Sequence, residues 1–271
     1  MDDEQRYLFD TRGFLVVPDA LTPDQVQELR DTIAPAEQHD RNNKVNPLHW
    51  GRMWRDLLDL PAVSPILEEL LGSGDPGRRT LSFRLDHINV HTHVRKGFKG
   101  LRLHGDWPHN YAGGSQFFNW RDGRSMNGLF VVAFELFDTS PNGGGFCCIP
   151  GSHKSNVPLP KAWRDLHKGV HPEVRRVPAR PGDAILFTEA LTHGTLPWTV
   201  DSARQTVFYK FSPAAVSWSA DYFDPGEFVG YADMDDRRLA ILEPPNARYA
   251  GRRSRPPLRR GEAAAAPPAN L

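Results

Sequence analysis

Phe83-Arg84-Leu85-Asp86-His87-Ile88-Asn89-Val90-His91-Thr92-His93-Val94 is the stretch that decides the fold. Ile88, Val90 and Thr92 alternate with His87, Asn89, His91 and His93, a period of two that belongs to a strand and puts four polar side chains on one sheet face. Downstream, further strand-like runs follow at Leu101 to His104, Leu129 to Phe137, Phe146 to Ile149, Val174 to Val177, Ala184 to Phe187 and Thr206 to Phe211. Pro141-Asn142-Gly143-Gly144-Gly145 and Pro181-Gly182-Asp183 separate them as turns. Upstream, the pattern is helical. Thr22-Pro23-Asp24-Gln25 combines a capping hydroxyl, a proline at the first helical position and a glutamine three residues after the cap, predicting a helix that runs to Pro35. A second helix is predicted over Pro65 to Leu71, ended by Gly72. Helices followed by many short strands predict a mainly β fold, a closed or double-layered antiparallel sheet with N-terminal helices packed outside. Residues 1–250 read as a single domain and residues 251–271, rich in Arg, Pro and Ala, as a disordered tail.

Composition narrows the function. Lys plus Arg and Asp plus Glu are 33 each, so no global positive field attracts a nucleic acid backbone. No apolar run is long enough to span a bilayer, and the acidic start Met1-Asp2-Asp3-Glu4-Gln5 lacks the features of a secretory signal. Cys147 and Cys148 are the only cysteines, and as strand neighbours they point to opposite faces and build no disulfide framework. The expectation is a cytoplasmic protein acting on a small molecule, without a nucleic acid or membrane partner. Nothing in the sequence sets an oligomeric state.

His104-Gly105-Asp106 places an imidazole and a carboxylate two residues apart, on one face of an extended segment, where they can chelate one ion. Iron(II) that must also bind O2 and a co-substrate needs open positions, hence two His and one carboxylate from the protein. The third candidate is His193, delivered by Gly182-Asp183 and the apolar run Ala184 to Phe187, and followed by Gly194, expected to bend the chain away. Such a short motif also arises by chance among eleven His. His171-Pro172-Glu173 has the same spacing but reads as a loop, and His91 with His93 lacks a carboxylate to complete a site. Arg204, just before the last strand, would return to the side of His193. A buried guanidinium needs an anion, and 2-oxoglutarate has a distal carboxylate suited to it. Thr195, on the face of His193, could add a hydroxyl or be an ordinary turn residue.

Together, these residues resemble the phytanoyl-CoA hydroxylase (phytanoyl-CoA dioxygenase) family. The resemblance spans residues 7–212 and rests on Gly13-Phe14-Leu15-Val16-Val17, His104-Gly105-Asp106, Gly143 to Lys154 with Pro150-Gly151-Ser152-His153-Lys154, Gly182 to Phe187 leading to His193, and Arg204. It implies a double-stranded β-helix, the jelly-roll or cupin-like barrel. It also implies His104, Asp106 and His193 as ligands of Fe(II), Arg204 as the anchor of 2-oxoglutarate, and O2 consumed with formation of succinate and CO2. His153 is implied to shape a loop and not to bind metal. Carrier-linked halogenases of the broader superfamily lack the carboxylate, so Asp106 favours hydroxylation or a related oxidation. His93 is the expected further co-substrate contact. Asn89, His91 and Trp107 are the expected substrate contacts, the aromatic loop Trp107 to Tyr111 and Phe117 to Trp120 being either specificity loop or plain core. The competing readings are a jelly-roll that binds a metabolite without turnover and a zinc or manganese hydrolase or isomerase.

Overall fold

The computed structural model describes residues 1–39, 46–72, 81–94, 96–105, 114–139 and 143–247. The expected tail, 251–271, lies outside the described residues, as do Asp106 and Trp107. The chain opens with α1 (Asp3–Arg12), β1 (Phe14–Val17), α2 (Pro23–His39), α3 (Arg52–Asp56) and α4 (Ser64–Leu71). Strands follow: β2 (Phe83–Val94), β3 (Leu101–His104), β4 (Phe118–Arg121), β5 (Arg124–Asn127), β6 (Phe130–Glu135), β7 (Gly145–Cys148), β8 (Arg175–Arg176), β9 (Ala184–Thr188), β10 (His193–Leu196) and β11 (Arg204–Pro213). A short α5 (Asp236–Ile241) comes last. No helix among the described residues is long and apolar enough to cross a membrane.

Two antiparallel sheets face each other, one ordered β1-β9-β6-β11-β2 and the other β3-β10-β7-β8. No ladder joins them among the described residues, so the expected barrel is not closed there: the architecture is a double layer. Alternation along the strands builds three apolar layers. Val132, Phe134, Leu186, Val207 and Tyr209 pack outward against the helices. Val131, Ala133, Ile185 and Phe187 pack inward against Phe146 and Cys148 of the opposite sheet. Cys147 and Leu103 lie on the far side of the four-stranded sheet with Leu159 and Leu166. The two cysteines therefore do face opposite ways, and both are free.

Several local expectations need correcting. The cap of α2 is as read, with Gln25 N–H donating to Thr22 Oγ1 and Thr22 N–H to Gln25 Oε1, but the helix continues past Pro35 to His39. A proline inside a helix removes one ladder donor without always ending the helix. The acidic start forms α1, where Asp2 and Gln5 make a reciprocal capping box and Gly13, at φ 80°, ends the helix. Of the supposed aromatic loop, Phe118 to Trp120 belongs to the β4–β5 hairpin, turned by Asp122 and Gly123, both at positive φ.

The sheet and helix layers meet at Tyr209, whose hydroxyl donates to the Trp54 carbonyl of α3, beside the Phe134 ring. Phe134 is fully buried, so Phe134→Ala should cost about 3–5 kcal/mol through lost transfer energy and a residual cavity. Urea unfolding should show a lower midpoint at an unchanged slope; a midpoint equal to wild type would contradict this layer assignment.

Candidate metal centre

β10 runs antiparallel to β3 with His193 opposite His104, and their ring centroids lie 4.2 Å apart. The two histidines predicted from distant stretches are thus brought together. His104 Nδ1 is 3.0 Å from the Arg102 carbonyl and His193 Nδ1 is 2.7 Å from the Leu191 carbonyl. A carbonyl only accepts, so each Nδ1 donates its proton and each Nε2 keeps a lone pair for a cation. Burial, and next the neighbouring His104, push the His193 pKa down to about 3, which keeps that ring neutral at ordinary pH.

Gly105 permits this meeting. At φ 93°, a Cβ on it would stand 2.2 Å from the Leu191 carbonyl oxygen and 2.8 Å from that of Glu189. Gly194, expected to bend the chain away, does not do so. It lies within β10 opposite Cys147, and a Cβ there would stand 2.7 Å from the Leu101 carbonyl oxygen, so its role is close approach to β3.

A carboxylate that sequence reasoning missed completes the cluster. Glu189, in the turn between β9 and β10, has a ligand atom that lies, with those of His104 and His193, within a mutual 4.8 Å. Glu189 and His193 are buried while His104 is exposed, so the cluster opens on the β3 side. Lys210 of β11 donates to Glu189 Oε1 at 2.6 Å. Burial pushes the Glu189 carboxyl up, but the Lys210 ammonium together with His193 and His104 outweighs it and holds the group below the ordinary carboxylate range. A lone acid in the apolar run Phe187-Thr188-Glu189-Ala190-Leu191 was the available signal.

Arg204 begins β11 and is 1% exposed. Its Nη2 donates to Glu135 Oε1 at 2.5 Å, and Thr206 Oγ1 donates to Glu135 Oε2 at 2.7 Å. Arg204 Nε and Nη1 are buried and make no hydrogen bond among the described residues. Unspent guanidinium donors in a dry interior are costly unless an acceptor arrives. β7 passes them as Gly145, whose Cβ position is 3.8 Å from Arg204 Nε. Thr195, buried on the His193 side of β10, pairs with Phe146, and the next residue, Leu196, pairs with Gly145. Thr195 therefore lies between the histidines and the arginine along one strand.

On β2, His87, Asn89 and His91 sit opposite Lys210, Phe208 and Thr206, while Ile88 and Val90 pack toward the helices. The polar face thus shares the side of β11 that carries Lys210. Burial, then Arg204 and Lys210, push the His91 pKa down to about 4. Buried Asp86 accepts from the Trp218 and Ser219 amides and pairs with Arg84 and His87, which stacks the Trp218 indole on His87 at 4.8 Å. Nothing is described of the His93 side chain. His171 stacks on Trp163 and accepts from the Glu173 amide, in keeping with a loop. His153 is buried with Nε2 3.1 Å from the Asp10 carbonyl, tying its turn to α1 away from the cluster.

A family model described as phytanoyl-CoA dioxygenase (PhyH) matches residues 9–206. Structures of HygX from Streptomyces hygroscopicus are similar at 24% identity, over 81% of this chain and 90% of that one. The TM-score is 0.66 for the form with nickel and 2-oxoglutarate bound, 0.67 for the apo form and 0.63 for the form with nickel, 2-oxoglutarate and hygromycin B. At this identity the likeness is one of fold. No curated protein matches the sequence.

Two outcomes follow from the geometry. Gly105→Ala should push β3 off the Glu189–Leu191 turn, lower stability by about 2 kcal/mol or more and abolish tight binding of Ni(II) by calorimetry; retained binding would show that the close approach is dispensable. For His91, the folded pKa near 4 lies below the ordinary 6.5. Between these values the unfolded chain binds more protons, so stability rises with pH across that window and is full above it. His91→Phe should flatten the dependence of the unfolding midpoint between pH 4 and 6.5, and an unchanged slope would contradict a neutral buried ring.

Proposed function

We infer the function from one premise: the chain belongs to the phytanoyl-CoA dioxygenase (PhyH) family. It is an iron(II)- and 2-oxoglutarate-dependent oxygenase, with O2 as co-substrate. On our reading His104, His193 and Asp106 hold the iron, Arg204 and Thr195 receive the distal carboxylate of 2-oxoglutarate with His93 as a further contact, and residues 1–250 form one domain. The two facing sheets are the halves of a double-stranded β-helix. The observation that carries the reading is the joint presence of two inward Nε2 lone pairs and, on the same cleft, two unspent buried donors on Arg204.

Thr195 follows His193 on the same face of β10, and the next residue, Leu196, pairs with Gly145 beside the Arg204 guanidinium, so an elongated diacid would have its two ends served by different parts of one cleft. Bound iron with 2-oxoglutarate and O2 supplies the oxidising chemistry, in which the diacid is decarboxylated to succinate and CO2 while the substrate is oxidised. The protein's own part is positional. The backbone carbonyls of Arg102 and Leu191 orient the two imidazoles, Glu135 orients the guanidinium, and the apolar layer of Phe146 and Phe187 excludes water.

For the substrate, Asn89 and His91 offer hydrogen-bonding groups on the wall facing the metal, Trp107 is the expected loop contact, and Trp218 adds an exposed aromatic face beside His87. Such a wall suits a small polar metabolite or natural-product intermediate. That HygX was solved with hygromycin B is consistent with this class.

Anaerobic addition of Fe(II) and 2-oxoglutarate should produce a metal-to-ligand charge-transfer band, absent in His104→Ala and His193→Ala. Arg204→Ala should need about ten- to a hundredfold more 2-oxoglutarate to develop it, from the loss of charged hydrogen bonds worth about 1.5–3 kcal/mol each. A band of wild-type midpoint in Arg204→Ala would reject the anchor, and a band in both histidine variants would reject the centre.

A further inference from the structure

Glu189 has no part in the ligand set above, and its surroundings are hard to explain as a structural ion pair alone. Its carboxylate is buried at the foot of the cleft, 1% exposed. The turn that carries it is fixed by the Glu189 amide on the Leu129 carbonyl and the Leu191 amide on the Thr188 carbonyl. Lys210 takes Oε1 at 2.6 Å, while Oε2 lies 3.9 Å from His193 Nε2. Both imidazoles give their Nδ1 protons to backbone carbonyls, so the nitrogens facing this oxygen present lone pairs. Two ring nitrogens and a carboxylate oxygen converging at one end of the cleft form a donor set that a cation between them would satisfy.

We propose that Glu189 is an additional carboxylate donor of the metal centre, binding the divalent ion through Oε2 in the co-substrate-free protein. The assignment rests on the reading of His104 and His193 as metal ligands. Bonds of about 2.0–2.2 Å put two donors on one ion about 3 Å apart when adjacent and about 4 Å when opposite. The mutual 4.8 Å limit within the cluster leaves only a small contraction on binding. Lys210 confines the carboxylate to one oxygen and offsets its charge, so the donor adds affinity while the pair stays neutral overall.

The test is an anaerobic Co(II) titration of the full chain without 2-oxoglutarate, followed by visible absorbance and by calorimetry. Glu189→Gln should raise the Kd at least about tenfold and change the Co(II) spectrum. Lys210→Met should leave the Kd unchanged or lower it, because the carboxylate is released to the metal. The double variant E189Q/K210M, with no unpaired charge, should bind as weakly as E189Q and serves where E189Q fails to fold. Wild-type Kd and spectrum in E189Q or in the double variant, or equal weakening in E189Q and K210M, would overturn the proposal, the last marking a structural pair. His104→Ala and His193→Ala separate the two levels: loss of Co(II) in these with none in E189Q rejects Glu189 alone, whereas wild-type binding in all of them rejects the metal centre itself.

Discussion

The antiparallel contact between β3 and β10 is the constraint on which the site depends. It places His104 opposite His193, and it exists because glycines stand where any side chain would collide with a backbone carbonyl, at Gly105 against the 189–191 turn and at Gly194 against Leu101. The contact costs conformational entropy at two glycines and disturbs the ladder between His193 and Thr195. Packing of the inter-sheet layer, from Phe146 to Phe187, offsets that cost. The juxtaposition of His104 and His193 therefore follows from the sheet pairing.

What the sequence made legible follows from how each residue is buried. β2 was readable because one face meets the helices and the other a polar cleft, giving alternation from His87 to His91, while the register slips at Asp86 so that Phe83 and Leu85 also face the helices. β6, β7 and β9 are buried on both faces and appear as apolar runs, detectable but with uncertain ends. β10 is four residues, His-Gly-Thr-Leu, with no period to detect, and only its pairing makes it a strand. The β4–β5 hairpin carried a readable sign, Asp122-Gly123, obscured by the aromatic residues before it. α1 likewise carried a capping box that was read only as negative charge. The meeting of His104 with His193 was legible in the strand-like stretches that carry them. Glu189 was not, because its meaning depends on Lys210, which only strand register brings alongside.

The buried charges on β11 share one plan. Arg204 meets Glu135 from the adjacent β6, and Lys210 meets Glu189 from the turn after β9. Buried ion pairs add little net stability, since desolvation cancels most of the attraction, so the presence of two on one strand points to work other than holding the fold. Each pair also leaves something beyond its partner: two guanidinium donors at Arg204 and a carboxylate oxygen turned toward the histidines at Glu189.

The two sheets thus divide the chemistry between them. The four-stranded sheet supplies two imidazoles side by side, and the five-stranded sheet supplies cations on short acidic tethers, which attract an anion. An ion and a dianion bound together between such walls neutralise each other, whereas either alone leaves one wall unmatched. Burial first, and then the same field from Arg204 and Lys210, disfavours a positive charge on His91. A neutral imidazole can donate and accept at once, so this ring adds hydrogen-bonding capacity to the β2 face without adding charge.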